Sequence, residues 1–163
     1  MGEVVSSINI PLIVLLLQGI PEIIAIVTLA FVIAKINIKW NKILLIGVPL
    51  AVCEYVVRLF PIPFGIHTIL LLILLFIGLT VIGKGEFSLS LIASLLSFLV
   101  LIICEFVCLS LLMPIFRVTP ETLSLHPIIR IVIAEPHVLI LFISAFLLNK
   151  FIQKKRSEMN EFL

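Results

Sequence analysis

The sequence predicts an all-α, polytopic integral membrane helix bundle with about five transmembrane helices. Three observations carry this. Apolar residues make up 63% of the 163-residue chain and mean hydropathy is +1.40, beyond the range of an ordinary soluble domain. Charged residues are only 12% of the total, and they fall in short stretches between apolar runs long enough to cross a bilayer. No segment shows the alternating polarity of a transmembrane β-strand.

The first span is read over residues 12–34. It is interrupted at Leu17-Gln18-Gly19-Ile20-Pro21-Glu22, where a proline removes a helix hydrogen bond and a carboxylate enters hydrocarbon. Lys35, Lys39 and Lys42, with Trp40 among them, form a compact basic loop. The second span, 43–60, carries Pro49, Cys53, Glu54 and Arg58. Pro61-Ile62-Pro63-Phe64-Gly65 is too proline-rich to be helical and separates it from the third span, 66–83. That third span is almost pure Leu and Ile after His67, so it is expected to face lipid on all sides.

The fourth span, 87–113, carries a stripe of small polar residues. Ser94 and Glu105 are three helical turns apart, as are Ser97 and Cys108, which suggests a face for helix–helix contact. In the long loop that follows, Thr119-Pro120-Glu121 reads as a capped start for a short surface helix over 120–125. The fifth span, 128–149, is expected to break at Ala134-Glu135-Pro136-His137. A short basic tail, 150–163, ends the chain as read.

Charge fixes the orientation. Lys35, Lys39, Lys42, Lys84, Lys150, Lys154, Lys155 and Arg156 fall on one side of a five-span topology; Arg58, Arg117 and Arg130 fall on the other. The positive-inside rule then places the N-terminus outside and the C-terminus in the cytoplasm, with the chain multi-pass in a cell membrane. Residues 1–10 lack the basic start of a cleavable signal peptide, and the apolar run that follows is too long for one.

With this orientation the intramembrane acids fall in one layer. Counting about 1.5 Å per residue places Glu54, Glu135, Glu105 and Glu22 between about 9 and 15 Å below the outer surface. Arg58, His67, Arg130 and His137 lie at similar or shallower depth. A lone charge facing lipid costs roughly 2.5–3.5 kcal/mol, so such groups are expected to face one another or a wet cavity. The candidate ligand-binding residues are therefore Glu22, Glu54, Arg58, His67, Glu105, Arg130, Glu135 and His137, around an outward-facing polar pocket. Glu54 and Arg58 could equally form an i,i+4 pair that only sets helix register.

Catalysis is not expected. Glu54-Tyr55-Val56-Val57-Arg58 superficially matches the Glu-xxx-Arg element of intramembrane prenyl-protein proteases, but the paired glutamates and further histidines of that motif are missing. Cys53, Cys104 and Cys108 read as small buried apolar residues, and no metal-ligand spacing occurs, so neither metal nor cofactor is expected. A nucleic-acid partner is not expected either; the lipid bilayer is.

Three stretches carry a resemblance: residues 16–39, the turn Arg58-Leu59-Phe60-Pro61-Ile62-Pro63-Phe64-Gly65-Ile66-His67-Thr68, and Thr119-Pro120-Glu121. Over about residues 11–151 the chain resembles the multi-span N-terminal sensor regions of Firmicutes histidine kinases with GHKL-type ATPase domains. It departs from them in carrying no phosphoacceptor helix and no ATPase domain. The resemblance implies a bacterial membrane protein that is either a stand-alone sensor module or a fragment without its output, acting on a cytoplasmic signalling protein or on a second copy of itself after an unidentified small ligand binds. The competing expectation is a substrate-binding membrane subunit of a small-solute transporter, whose usual six spans and cytoplasmic N-terminus conflict with this topology. A blander third reading is an assembly factor whose polar groups only hold the bundle together.

Overall fold

The structure, a computed structural model, describes residues 15–58, 66–116 and 127–161. Among them every regular element is helical, and four helices are long and apolar enough to cross a membrane. A π-helical turn, Leu15–Gly19, leads into α1, Ile20–Ile33. The rest are α2, Trp40–Arg58; α3, Ile66–Val81; α4, Phe87–Phe116; and α5, Pro127–Glu161. At 16 residues α3 is about 24 Å long, short of the roughly 30 Å hydrocarbon core by itself.

The helices are arranged around α1. It packs against α2, α4 and α5 and touches α3, while α3 bridges α2 and α4, and α4 packs on α5. No contact joins α2 to α5 among the described residues, so the outer four form an arc that is open on one side. The π-helical turn sits at that opening and touches both α2 and α5. Burial follows: 67% of the Leu16–Ile33 segment is buried, against 22–33% for the other long helices.

Polarity is distributed as a lipid environment would require. The bundle surface is apolar, with Leu45, Val52, Leu99, Phe106, Leu139 and Phe146 among many exposed side chains. Inside lie Thr28, Ser90, Ser94 and Ser97. Hydroxyls on apolar helices donate back to the preceding turn, Thr28 to Ile24 O at 2.7 Å and Thr80 to Phe76 O at 2.8 Å. Of the expected stripe on α4, Ser94, Ser97 and Cys108 are buried and Glu105 is half-buried; Ser90, one turn before Ser94, is buried as well. Ala30 and Ala34 are buried as well, which suits close helix packing.

Several expectations need correction. The fifth helix does not break at Pro136; it is continuous for 35 residues and includes most of the expected tail. Pro136 removes one backbone hydrogen bond, and the remaining bonds keep the turn helical. Likewise α4 runs through Pro114 to Phe116. The interruption in the first span is a change of pitch. Pro21 has no N–H to give to an α-register partner, but in the first turn of α1 that group would be spare anyway. The third span does not face lipid on all sides, because Leu71, Leu75, Gly78 and Leu79 form a buried seam. The expected 120–125 helix and the Pro61–Gly65 turn lie outside the described residues.

Gly78 shows how α2 and α3 approach. A Cβ there would come within 2.8 Å of Cγ2 of Ile46, itself 2% exposed. A branched methyl in a packed core cannot swing aside cheaply. Gly78→Val should therefore destabilise the bundle by about 1–3 kcal/mol, read from equilibrium unfolding in mixed micelles.

The end of the bundle rich in lysine is well fastened. Helix α1 closes with Lys35 in the left-handed region (φ 56), with Ile36 N–H bonded to Phe31 O and Lys35 N–H to Val32 O. This is a Schellman close, a place where glycine is usual. The side chain of Ile36 then reaches Gly83 and Gly85 in the α3–α4 turn, where added Cβ atoms would lie 3.0 and 2.8 Å from its Cδ1. Lys42 Nζ donates to Gly83 O at 3.2 Å, and the Phe76 and Phe87 rings meet edge to face at 5.0 Å across the same turn.

Candidate functional site

Consecutive antiparallel helices bring the start of α1, the end of α2 and the start of α5 to the same end of the bundle. Here the polar interior residues include ionisable ones. Glu22 lies in the first turn of α1 and is buried. Its Oε2 stands 3.8 Å from Nε2 of His137, which is 1% exposed, on α5. The π-helical turn before α1 contributes buried Gln18, while Leu16 and Leu17 beside it are exposed. Glu54, one turn from the end of α2, is buried too.

The remaining candidates are placed less centrally. Glu105 on α4 and His67 in the first turn of α3 are half-buried. Glu135 is half-buried, yet its Oε1 is enclosed and makes no hydrogen bond among the described residues. Gln18 Oε1 is in the same condition. Arg58 and Arg130 lie on α2 and α5, but their side chains are outside what is described. The structure thus brings together Glu22 and His137 directly. Gln18 is absent from the sequence-based candidates. Its i,i+4 spacing from Glu22 is the signal that could have found it.

At 3.8 Å the carboxylate and imidazole are beyond a good hydrogen bond. They attract as an ion pair when the imidazole carries its second proton, and a shift of about 1 Å would bring them into hydrogen-bond range. A buried contact of this kind responds to a proton or to a small helix movement. Its neighbourhood favours the latter, because π-helical turns and in-helix prolines weaken the local backbone ladder. Two cavities described in the structure lie at the opposite, lysine-rich end, and none of the eight candidate residues lines them.

Among the described residues no group of three or more His, Cys or Glu side chains is arranged to hold a metal ion. Searches of family models, curated proteins and solved structures found no match to the chain.

Proposed function

We propose that the chain is a non-enzymatic membrane sensor or regulatory module that signals to a cytoplasmic partner through α5. In this reading it spans the membrane five times, with its N-terminus outside, and an outward-facing polar pocket lies among α1, α2, α4 and α5. The observation that carries the reading is the continuity of α5. One helix joins His137, in contact with Glu22 of the central α1, to Lys150 and Lys154 near its far end. From His137 to Glu161 is about 36 Å of unbroken helix, enough to carry a displacement from one face of the bilayer past the other. A ligand shifts such a helix only if it binds two arrangements with different affinity, and in this reading those are the Glu22–His137 contact made and released. The resemblance to kinase sensor regions points the same way.

The test is a transcript comparison between cells carrying the native chain, Glu22→Gln, and Glu135→Gln. Native-dependent changes should disappear in both variants while membrane insertion is unchanged. Loss of insertion in both would make the acids structural and remove the pocket. A reporter fused after Leu163 should be cytoplasmic, and an external reporter would overturn the orientation.

A second reading, a substrate-binding membrane subunit of a small-solute transporter, is favoured by one observation. Gln18 Oε1 and Glu135 Oε1 are enclosed acceptors that a solute bearing hydrogen-bond donors would satisfy. Solute uptake that depends on Gln18 and Glu135, with no transcript change, would select it.

A further inference from the structure

At the end of the bundle opposite Glu22 and His137, two chain connections meet around a cavity of about 320 Å³. It is lined by Lys35, Lys39 and Lys42 from the α1–α2 connection and by Lys84 and Glu86 from the α3–α4 turn. The lining thus carries four lysines and one glutamate. Among the described residues none of the four is in an ion pair, and Lys42 is tied to Gly83 O. Two of the lysines, Lys35 at φ 56 and Lys84 at φ 60, are the only non-glycine residues with positive φ among those described. A left-handed backbone favours glycine, and strained positions of this sort gather at ligand clamps.

A second, larger cavity of about 1020 Å³ adjoins the first and shares Lys35, Ile36 and Asn37 with it. It runs between the end of α1 and the Leu148–Gln153 stretch of α5, and Val32, Ile38, Leu148, Phe151 and Ile152 make most of its wall apolar. A cationic hollow beside an apolar groove, with three lining residues in common, matches a molecule with a phosphate at one end and a hydrocarbon chain at the other. We propose that this is a binding site for an anionic phospholipid, with its phosphate among Lys35, Lys39, Lys42 and Lys84 and an acyl chain along the α1–α5 groove. Basic pockets between spans are known to hold such headgroups. The site does not depend on the signalling reading.

The test uses the purified full chain in detergent, with lipid binding followed by native mass spectrometry. The probes are phosphatidylglycerol, phosphatidylcholine with the same acyl chains, and inorganic phosphate. Phosphatidylglycerol should bind at least about tenfold more tightly than phosphatidylcholine, a difference of about 1.4 kcal/mol. The paired Lys35→Gly and Lys84→Gly variant should lose that preference. Glycine suits both backbones, so its thermal stability should equal or exceed that of the native chain, which separates binding from folding. A paired Lys150→Ala and Lys154→Ala variant removes the same charge outside the cradle and should keep the preference. Equal affinity for both lipids overturns the proposal, and so does equal loss in the two variants. Inorganic phosphate binding as tightly as phosphatidylglycerol would make the ligand a soluble anion, which also overturns it.

Discussion

Phe31→Ala should be among the most damaging single substitutions in this chain, lowering unfolding free energy in mixed micelles by about 2–3 kcal/mol. Phe31 is fully enclosed on the central helix, within the cluster formed by Ile23, Ile26, Leu75, Leu79 and Leu141. In water such a truncation costs a transfer term plus a cavity term. In a bilayer the transfer term largely disappears, because lipid tails are as apolar as the protein interior. The cavity term remains, and at about 24 cal/mol per Å³ a void of about 100 Å³ still costs about 2.4 kcal/mol. The control is Phe146→Ala on α5, where the ring is 74% exposed and would meet lipid. That variant should fall within about 0.5 kcal/mol of the native chain. Equal losses at the two positions would mean that α1 is not the centre of the bundle.

The contrast between Phe31 and Phe146 also explains what could be read from the sequence. Apolar runs bounded by charges overlap the five α-helices among the described residues, since hydrocarbon demands helices with internally bonded backbones. They did not reveal that α1 is central. A soluble helix shows its buried face by amphipathic periodicity, but here both faces meet apolar surroundings and the signal vanishes. For the same reason α3 reads as uniformly lipid-facing, although its Leu71–Leu75–Leu79 side is buried. The expected break at Pro136 is wrong because one missing hydrogen bond is a local loss, and α5 is held by packing on α1 and α4. The site was legible in part. Glu22 and His137 stand out as ionisable groups beside prolines, and each was a candidate on that ground. That they contact each other required knowing which helices are neighbours. The lysine cradle was legible only as scattered topogenic charge, because Lys35 and Lys84 occupy turns where glycine would have announced a left-handed backbone.

The Glu22–His137 contact should emerge from a double-mutant cycle as a coupled pair, with Glu22→Gln and His137→Gln each destabilising and the double variant costing less than their sum. The expected coupling is about 0.5–2 kcal/mol, measured by unfolding in mixed micelles. Three features set that range. Both partners are nearly enclosed, with side chains 9% and 1% exposed, so solvent screens the pair far less than a surface bridge. The 3.8 Å separation is longer than a charge-assisted hydrogen bond, which keeps the value below that of a tight buried pair. The attraction is that of an ion pair only when the imidazole is protonated, which keeps the value below that of two permanent charges. Glutamine at either position keeps polar atoms and similar size, which limits cavity effects and leaves charge as the main change. A coupling below about 0.3 kcal/mol at every pH would show that the two side chains are merely neighbours. In that case the packing of α5 on α1, the most extensive helix pairing in the bundle, would stand without help from this pair.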